Sequence, residues 1–328
     1  MRLIRLLFIL LVFAAVAASA GFQFWTGQVI EVGETPVEFT IRPGSSVRSA
    51  TRQMHDAGLP VQPLLMELLA RLSGKANQIK AGSYALEQGK TPLQLLDKIV
   101  NGEFSMGSVV IIEGWNFSQM RKAIDAQPAL KHDSQNLSNA ALMKKIGSDY
   151  SNPEGLFFPD TYLFPKGSSD LLIYQQAHAV QLKRLQDSWS GRAEHLPYKN
   201  PYEALIMASI IEKETGQKSE RPLIAAVFVN RLKAGMLLQT DPTVIYGMGE
   251  QYQGKIHKRD LQTDTPYNTY TRAGLPPTPI ALPGQASLSA ALNPAQSDAL
   301  YFVAKGDGTS HFSDNLDAHN RAVNQFQR

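Results

Sequence analysis

The sequence contains no cysteine, which excludes disulfide bonds, thiol nucleophiles, thiolate-bound metals and iron–sulfur clusters. It also has little excess charge, because 32 Lys and Arg residues are nearly balanced by 29 Asp and Glu residues, which gives a formal net charge of +3. A near-neutral body gives no reason to expect nucleic acid or another polyanion as a partner. Any catalysis must therefore come from carboxylates, histidine, serine or threonine.

Two missing motifs narrow the chemistry further. The seven histidines show no HExxH motif or other close metal-binding spacing, and no GxSxG sequence surrounds any serine. These absences argue against a metallohydrolase and against an esterase with a serine nucleophile. We therefore expect neither a metal nor an organic cofactor.

Long apolar runs are also missing, except at the amino terminus. The segment from Leu6 to Phe22 carries no charge, Arg2 and Arg5 precede it, and Trp25 follows it. A basic flank, an apolar core and an interfacial aromatic residue are typical of an exported segment whose amino end stays in the cytoplasm. We predict a retained single-pass anchor in the inner (cytoplasmic) membrane, with the body on the extracytoplasmic side. The alternative is removal of the segment after Ala20, which ends a small-x-small cleavage pattern.

The length of 328 residues predicts two folded domains at about 150 residues each. After the anchor, which we place in residues 1–25, the pattern over residues 36–105 predicts strand, helix, helix, strand and helix. Residues 106–328 are predicted to be mainly helical up to about residue 235 and then to consist of turns and short extended pieces. The predicted fold class is therefore α+β.

The segment from Pro201 to Gly216 is predicted to be a helix of about four turns that is apolar nearly all round. Such a helix is buried on most sides, so a carboxylate in its last turn would lie at the edge of a cleft. Partial loss of solvent there raises the pKa of a glutamate above ~4.3 and suits it to donate a proton at neutral pH. Glu212 and Glu214 are about 200° apart around the axis and face different ways, so we expect substitution of Glu212 to be mild. From this segment alone, a solvated helix end is the more common interpretation.

Polar and aromatic side chains with few charges recur further along the chain. They are Gln239, Thr240, Asp241, Tyr267, Asn268 and Tyr270. Amide, hydroxyl and phenol groups suit a neutral polymer of hydroxyl- and acetamido-bearing sugars, because tyrosine offers the sugar ring both an apolar face and a hydroxyl group. We expect these residues to bind substrate; for each one taken alone, the alternative is a turn cap or a tyrosine corner.

Several segments together resemble a known family. They are EGLFFPDTY (154–162), ASIIEKET (208–215), FVNRL and GMLLQTDPTVIYG (228–247), TPYNTYTRAGLPPTPIALPG (265–284) and YFVAKGDGTSHFS (301–313). In this order they look like the motifs of the YceG-like endolytic murein transglycosylases. The resemblance extends across essentially the whole body.

The resemblance implies a membrane-anchored enzyme that cuts the glycan strands of peptidoglycan internally and leaves 1,6-anhydro ends. It implies a LysM-like module over residues 36–105 and a YceG-like catalytic domain over residues 106–328, related to goose-type lysozyme. It also implies that Glu214 is the catalytic acid, with Thr215 at the position where related enzymes have serine. Besides peptidoglycan and the membrane, the family suggests cell-wall synthases such as penicillin-binding proteins as partners.

Two other functions fit the same residues. A muramidase would hydrolyse the same bond with a water molecule positioned by Asp241, the other carboxylate near these motifs. A non-enzymatic murein-binding scaffold would only grip glycan, but it has no need of a carboxylate at the end of a buried helix. The LysM-like module has an alternative role as a spacer that holds the active site away from the membrane.

Overall fold

The computed structural model describes residues 2–327. The chain divides into two compact units. The first contains the chain up to Gly107 together with residues 129–131 and 163–168, and the second contains residues 108–128, residues 132–162 and the chain from Ser169 onward. Helices and strands occur in both units, which confirms the predicted mixture of helix and sheet.

The amino-terminal apolar run forms α1 (Arg2–Gly27), a helix of 26 residues with no buried residue. At 1.5 Å per residue it is about 39 Å long, which exceeds the ~30 Å hydrocarbon layer of a bilayer. Among residues 2–327 it is the one helix that is long and apolar enough to cross a membrane. These properties suit either a membrane anchor or a signal sequence.

The rest of the first unit is built on a two-stranded sheet and three helices. In chain order its elements are β1 (Val37–Ile41), α2 (Val47–Asp56), α3 (Pro63–Leu72), β2 (Gly82–Leu86) and α4 (Pro92–Asn101). β1 pairs with β2 in antiparallel register, with Phe39 opposite Tyr84. Both side chains are buried, and their rings stack with centroids 5.4 Å apart. The order of elements confirms the one predicted from the sequence.

Local capping explains where α2 and α4 begin and where α4 ends. The Ser46 side chain accepts a hydrogen bond from the Ser49 N–H at the start of α2, and Thr91 forms a capping box with Gln94 at the start of α4. Gly102 ends α4 with a φ of 76°, a left-handed conformation that glycine adopts without steric cost. Helix boundaries in this unit are thus set by single residues.

The end of α1 is part of the same folded unit. Phe22 and Trp25 pack against its apolar core, and their ring centroids lie 5.7 Å apart. Directly after the helix, Ile30 is buried in that core, and its N–H donates to the carbonyl oxygen of Lys90 at 2.8 Å. The chain therefore passes from the apolar helix into the core without a free linker.

β3 (Met106–Val110) and β4 (Thr161–Pro165) form a second two-stranded sheet. The second unit is mainly helical. Its elements are α5 (Phe117–Asp125), α6 (Asn139–Lys145), α7 (Leu171–Ser190), α8 (Pro201–Glu214), α9 (Arg221–Lys233), α10 (Asp241–Met248), a short 3-10 helix (Gly249–Gln251), α11 (Lys258–Gln262), α12 (Gln285–Leu292), the antiparallel pair β5 (Tyr301–Ala304) and β6 (Ser310–Ser313), and α13 (Leu316–Phe326).

α8 is the central helix of the second unit and packs against α7, α9, α10 and α12. The Asn200 side chain accepts from the Glu203 N–H at its start, and Pro201 stands in its first turn. Every residue from Ala204 to Ile211 is buried. The predicted buried helix is confirmed, and its last two residues, Lys213 and Glu214, reach the edge of the core.

The segment after α9 differs from the prediction. We expected a run of turns through residues 239–247, but most of this segment forms α10. Pro242 stands in the first turn of α10, where its missing N–H costs no hydrogen bond. Thr243 and Val244 are buried, and α10 packs against α8. Tertiary packing here overrides the turn-forming preferences of the local sequence.

Candidate active site

Glu214, the last residue of α8, is partly exposed at the carboxyl end of this buried helix. Its Oε1 atom is hydrogen-bonded by the Thr240 hydroxyl group, and within the described chain Oε2 has no hydrogen-bond partner. Loss of solvent raises the pKa of Glu214 to about 7; the bond from Thr240 opposes the rise, and the nearby Asp241 charge adds to it. Much of Glu214 is therefore protonated at neutral pH, with one oxygen free to act on a ligand.

Thr240, which bonds Glu214, is a buried residue. Its side chain is only 2% exposed, and its N–H donates to Oγ1 of Thr269 at 3.1 Å. Gln239, directly before it, has a φ of 53°, which is uncommon for a residue with a side chain and marks a constrained turn. Thr240 bonds Glu214 directly, and its own contact with substrate stays a prediction.

Asp241 and Tyr270 complete a cluster around Glu214. The Tyr270 hydroxyl donates to Oδ1 of Asp241 at 2.6 Å. Burial raises the pKa of Tyr270, and the charges of Asp241 and Glu214 raise it further, so this phenol stays protonated. The structure thus brings together four residues that were predicted as site residues from separate segments of the sequence. They are Glu214, Thr240, Asp241 and Tyr270.

Glu154 is a second carboxyl group in an unusual environment, and it is not among the site residues predicted from the sequence. It is 5% exposed; its Oε1 accepts from the Phe117 N–H at 3.0 Å, and its Oε2 accepts from the Tyr246 hydroxyl at 2.9 Å. Burial raises the pKa of Glu154 to about 7, against the opposing effect of these hydrogen bonds. Its place as the first residue of the segment EGLFFPDTY, one of those that carry the family resemblance, is the sequence signal that could have marked it.

A cleft of about 810 Å³ opens beside Glu154 in the second unit. Tyr246 and Tyr267 also line it, with ring centroids 4.9 Å apart and ring planes at 63°. The Tyr267 hydroxyl shares a hydrogen bond of 2.9 Å with Oγ1 of Thr278. The volume of the cleft lies in the range of ligand-binding clefts, and the rings of Tyr246 and Tyr267 suit contact with sugar rings.

The Glu214 cluster borders this cleft. Lys213 and Pro242 line the cleft, and they are the chain neighbours of Glu214 and Asp241 respectively. Glu214 itself is not among the lining residues. The two carboxyl groups of raised pKa therefore differ in position, because Glu154 lies in the wall of the cleft and Glu214 at its border.

Asn268 is a buried residue. It is 1% exposed, and its Nδ2 donates to the carbonyl oxygens of Asp260, Leu261 and Thr263 at 3.3, 3.1 and 2.7 Å. A buried side chain that bonds three backbone carbonyls has a structural role here, and the binding role of Asn268 stays a prediction. It fixes the loop that presents Tyr267.

The two other predicted binding residues lie nearer the surface. Thr215, directly after Glu214, is partly exposed, and its Oγ1 accepts from the Gln217 N–H at 2.9 Å. Gln239 is exposed, and its Oε1 accepts from Nη1 of Arg231 at 3.3 Å. Both side chains are accessible to a ligand at the border of the cleft.

Glu212 is buried in an ion pair. Its side chain is 4% exposed, as is that of Arg221, and Arg221 Nη2 donates to Oε1 of Glu212 at 2.8 Å. The Gly284 N–H donates to the other carboxylate oxygen at 2.9 Å. The two glutamates therefore do face different partners, as predicted. The structure replaces the expected mild effect of substituting Glu212 with a new prediction of lost stability, because removal of the carboxylate leaves Arg221 buried without a counter-charge.

We predict that the free energy of unfolding falls as the pH rises from about 4.5 to about 7. In the folded state Glu154 holds its proton up to about pH 7, whereas the unfolded chain releases it near the ordinary value of 4.5. The folded state then binds more protons, so stability falls with pH by at most about 1.4 kcal/mol per pH unit from this group. Urea denaturation between pH 4.5 and 8 measures the slope.

Glu154→Gln is the matched comparison for this prediction, because it keeps the side-chain volume and removes the titration. The variant should show a shallower pH dependence than the unchanged protein, while Glu214 contributes to both slopes alike. Equal slopes in the two proteins would show that Glu154 titrates normally in the folded state.

Comparison with known proteins gives consistent matches. The sequence profile of the YceG-like family matches residues 39–325. The endolytic murein transglycosylase of Bacillus subtilis is 32% identical over 314 residues, covering 89% of this chain and 85% of that protein. The endolytic murein transglycosylase of Streptococcus pneumoniae is 27% identical over 354 residues, covering 95% of this chain but 63% of that longer protein.

A solved structure agrees with these matches. The crystal structure of a yceG-like protein from Listeria monocytogenes superposes with a TM-score of 0.56 at 31% sequence identity. The superposition covers 88% of this chain and 99% of that one. The likeness therefore extends over both the sequence and the fold.

Proposed function

This chain belongs to the YceG-like family, and on that premise we propose that it is an endolytic lytic transglycosylase that cleaves glycan strands of peptidoglycan. The names of its relatives supply the reaction class. The observation that carries the proposal is Glu214, a carboxyl group whose raised pKa of about 7 leaves about half of it protonated near pH 7. Thr240 holds one of its oxygens, the other is free, and a tyrosine-lined cleft lies beside it.

In the proposed reaction Glu214 acts first as an acid and then as a base. The protonated carboxyl group gives its proton to O4 of the leaving N-acetylglucosamine while the bond from C1 of N-acetylmuramic acid breaks. The resulting carboxylate then takes the proton from the C6 hydroxyl of the same muramoyl residue, and O6 bonds to C1. The ring closes as a 1,6-anhydro sugar, Glu214 regains its proton, and no water is consumed. A pKa near the working pH suits a group that must give and take one proton.

We assign this proton transfer to Glu214 in preference to Glu154 on the basis of their hydrogen bonds. Both oxygens of Glu154 accept bonds from the protein, and only 5% of the residue is exposed. Glu154 in this proposal is a positioning residue, which orients Tyr246 in the wall of the cleft and fixes the start of α5 at Phe117.

A muramidase is the second candidate, and the position of Asp241 supports it. Asp241 lies close enough to Glu214 for its charge to raise the pKa of that group. Glycoside hydrolysis ordinarily uses two carboxyl groups, one of which activates water. In the cluster, however, Tyr270 occupies Oδ1 of Asp241, which favours a positioning role for Asp241.

The masses of the products test the proposed reaction. Purified murein is digested with the protein, and the released muropeptides are analysed by mass spectrometry. Transglycosylation gives anhydro ends, whereas a muramidase gives reducing ends that are one water heavier. Reducing ends would overturn the transglycosylase mechanism, and intact murein would favour the binding scaffold.

We further propose that the first unit contains a LysM-like module over residues 36–105 and that residues 106–328 form a catalytic domain related to goose-type lysozyme. The strand, helix, helix, strand order of β1, α2, α3 and β2 supports the first assignment. The buried α8 with a carboxyl group at its end supports the second. The module in this proposal binds glycan, and its alternative role is that of a spacer.

We expect α1 to remain attached and to hold the body on the outer side of the inner membrane. Its two arginines lie at the amino end, and its surface is apolar for longer than a bilayer requires. Carbonate extraction should leave the full-length protein in the membrane pellet. Recovery of soluble protein that begins at Gly21 would show cleavage after Ala20 and contradict the anchor. Synthases of cell-wall glycan are the proposed partners on that side.

A further inference from the structure

Three potential metal ligands from separate segments meet outside the cleft. They are Asp125 at the end of α5, His132 in the following loop, and Asp170 directly before α7. One donor atom from each lies within 4.8 Å of the other two. The positions are 7 and 38 residues apart in sequence, so no spacing motif reveals them.

Polar atoms in this cluster lack partners. Nδ1 of His132 is buried, and within the described chain it makes no hydrogen bond. The Tyr174 side chain is fully buried, and its hydroxyl group makes no well-formed hydrogen bond in the described chain; it approaches Ser134 and lies close enough to Asp125 and Asp170 for their charges to act on it. Buried polar groups are rarely left unpaired, and such a group points to an additional ligand or ion.

The two carboxyl groups of the cluster also have no ion-pair partner in the described part of the chain. Asp170 is fully buried, and its oxygens accept only from the N–H and the hydroxyl group of Ser134, the latter at 2.6 Å. Within residues 2–327 neither Asp125 nor Asp170 has a Lys, Arg or His nitrogen within 4.0 Å. Arg121, the neighbouring cation, donates to the carbonyl oxygens of Ser134, Gln135 and Leu137 and to Oδ1 of Asn139. A buried carboxylate without a counter-charge is costly.

We propose that Asp125, His132 and Asp170 form a structural site for a divalent transition-metal ion, with Zn²⁺ as the best match. One imidazole nitrogen and two carboxylate oxygens are ligands that Zn²⁺ accepts, whereas Ca²⁺ and Mg²⁺ prefer oxygen ligands alone. Ser134 orients Asp170 through two hydrogen bonds, as groups behind metal ligands commonly do. Bonds of about 2 Å require donor atoms about 3.3 Å apart, so binding would draw the three side chains inward from their present separations of up to 4.8 Å.

Such an ion would tie the end of α5 to the loop at His132 and to the start of α7. α5 begins at Phe117, whose N–H donates to Glu154 in the wall of the cleft. The ion would therefore fix the element that carries one side of the cleft without touching substrate. Its expected effect is on stability, and it takes no part in proton transfer.

The test uses full-length protein without a histidine tag, freed of metal with a chelator and then dialysed. Calorimetric titration with ZnCl₂ should show one ion bound per chain, and added Zn²⁺ should raise the melting temperature. His132→Ala should weaken binding by about 10-fold or more and abolish the rise in melting temperature. Asp133→Asn, an exposed neighbour of the same loop, is the matched control and should bind as the unchanged protein does.

Circular dichroism shows whether His132→Ala is folded. If it is not, zinc-soaked crystals of the unchanged protein provide the second measurement, with an anomalous peak expected among the three side chains. No binding by the unchanged protein, equal binding by His132→Ala, or a peak at another histidine would each overturn the site. Binding of Ca²⁺ or Mg²⁺ in preference to Zn²⁺ would overturn the assignment of a transition metal.

Discussion

Replacing Glu214 with Gln is expected to lower the rate of glycan cleavage by about 10² to 10⁴, the range assigned to general acid–base catalysis. Gln keeps the volume of the side chain and can still accept the hydrogen bond from Thr240, but it cannot deliver a proton. The melting temperature should change little. The rate of release of soluble muropeptides from purified murein measures the effect.

Two variants control this experiment. Glu194→Gln removes a carboxylate whose side chain is 92% exposed, and it should leave cleavage unchanged. Asp241→Asn keeps a bond to Tyr270 and should cause only a moderate loss. A loss in Asp241→Asn as large as that in Glu214→Gln would instead support a hydrolase with two carboxyl groups. Unchanged activity in Glu214→Gln would remove Glu214 from the mechanism.

Replacing Glu212 with Gln is expected to reduce the free energy of unfolding by about 3–5 kcal/mol, the typical cost of breaking a buried ion pair from one side. Arg221 has no substitute partner, since its Nε and Nη1 atoms are buried without hydrogen bonds in the described chain. The new amide group would also place N–H donors towards either Arg221 or the Gly284 N–H. Urea denaturation at pH 7 measures the loss.

A double variant separates the ion pair from general damage to α8. Glu212→Leu with Arg221→Met replaces both charges with apolar groups, so no unpaired charge remains in the core. The loss of stability in this double variant should be clearly smaller than the sum of the losses in the single variants Glu212→Leu and Arg221→Met. Additive losses would mean that the two side chains are not coupled. A loss under about 1 kcal/mol in Glu212→Gln would show that the pair is solvated.

The parts of the fold that were predictable are those fixed by local residues. Ser46 and Thr91 cap helices, Pro201 begins one, and the apolar surface of α8 requires burial on all sides. Each signal lies within about ten residues of the structure that it determines. The prediction that Glu212 and Glu214 have different partners is of the same kind, because helix geometry alone sets the angle between them.

The remaining features depend on how separate helices and loops pack together, whether their residues are near or far in sequence. Glu154 acquires its raised pKa from burial, and its partners Phe117 and Tyr246 are 37 and 92 residues away. Asn268 is of a residue type common in binding sites, but the loop that folds around it buries its side chain against backbone carbonyl groups. The ion pair of Glu212 with Arg221 likewise joins two helices. Residue type and spacing do not contain this information.

The packing of α1 onto the first unit determines how that unit can move if the helix stays in the membrane. A flexible linker of n residues lets a domain sample a volume whose radius grows roughly as the square root of n. Here Phe22 and Trp25 lie against the core and Ile30 is buried in it, so almost no flexible linker separates α1 from the first unit. The unit would follow the tilt of the helix and stay at one height above the lipid headgroups. Its reach into the wall would then be set by geometry, and only the layer of glycan nearest the membrane would be available to it.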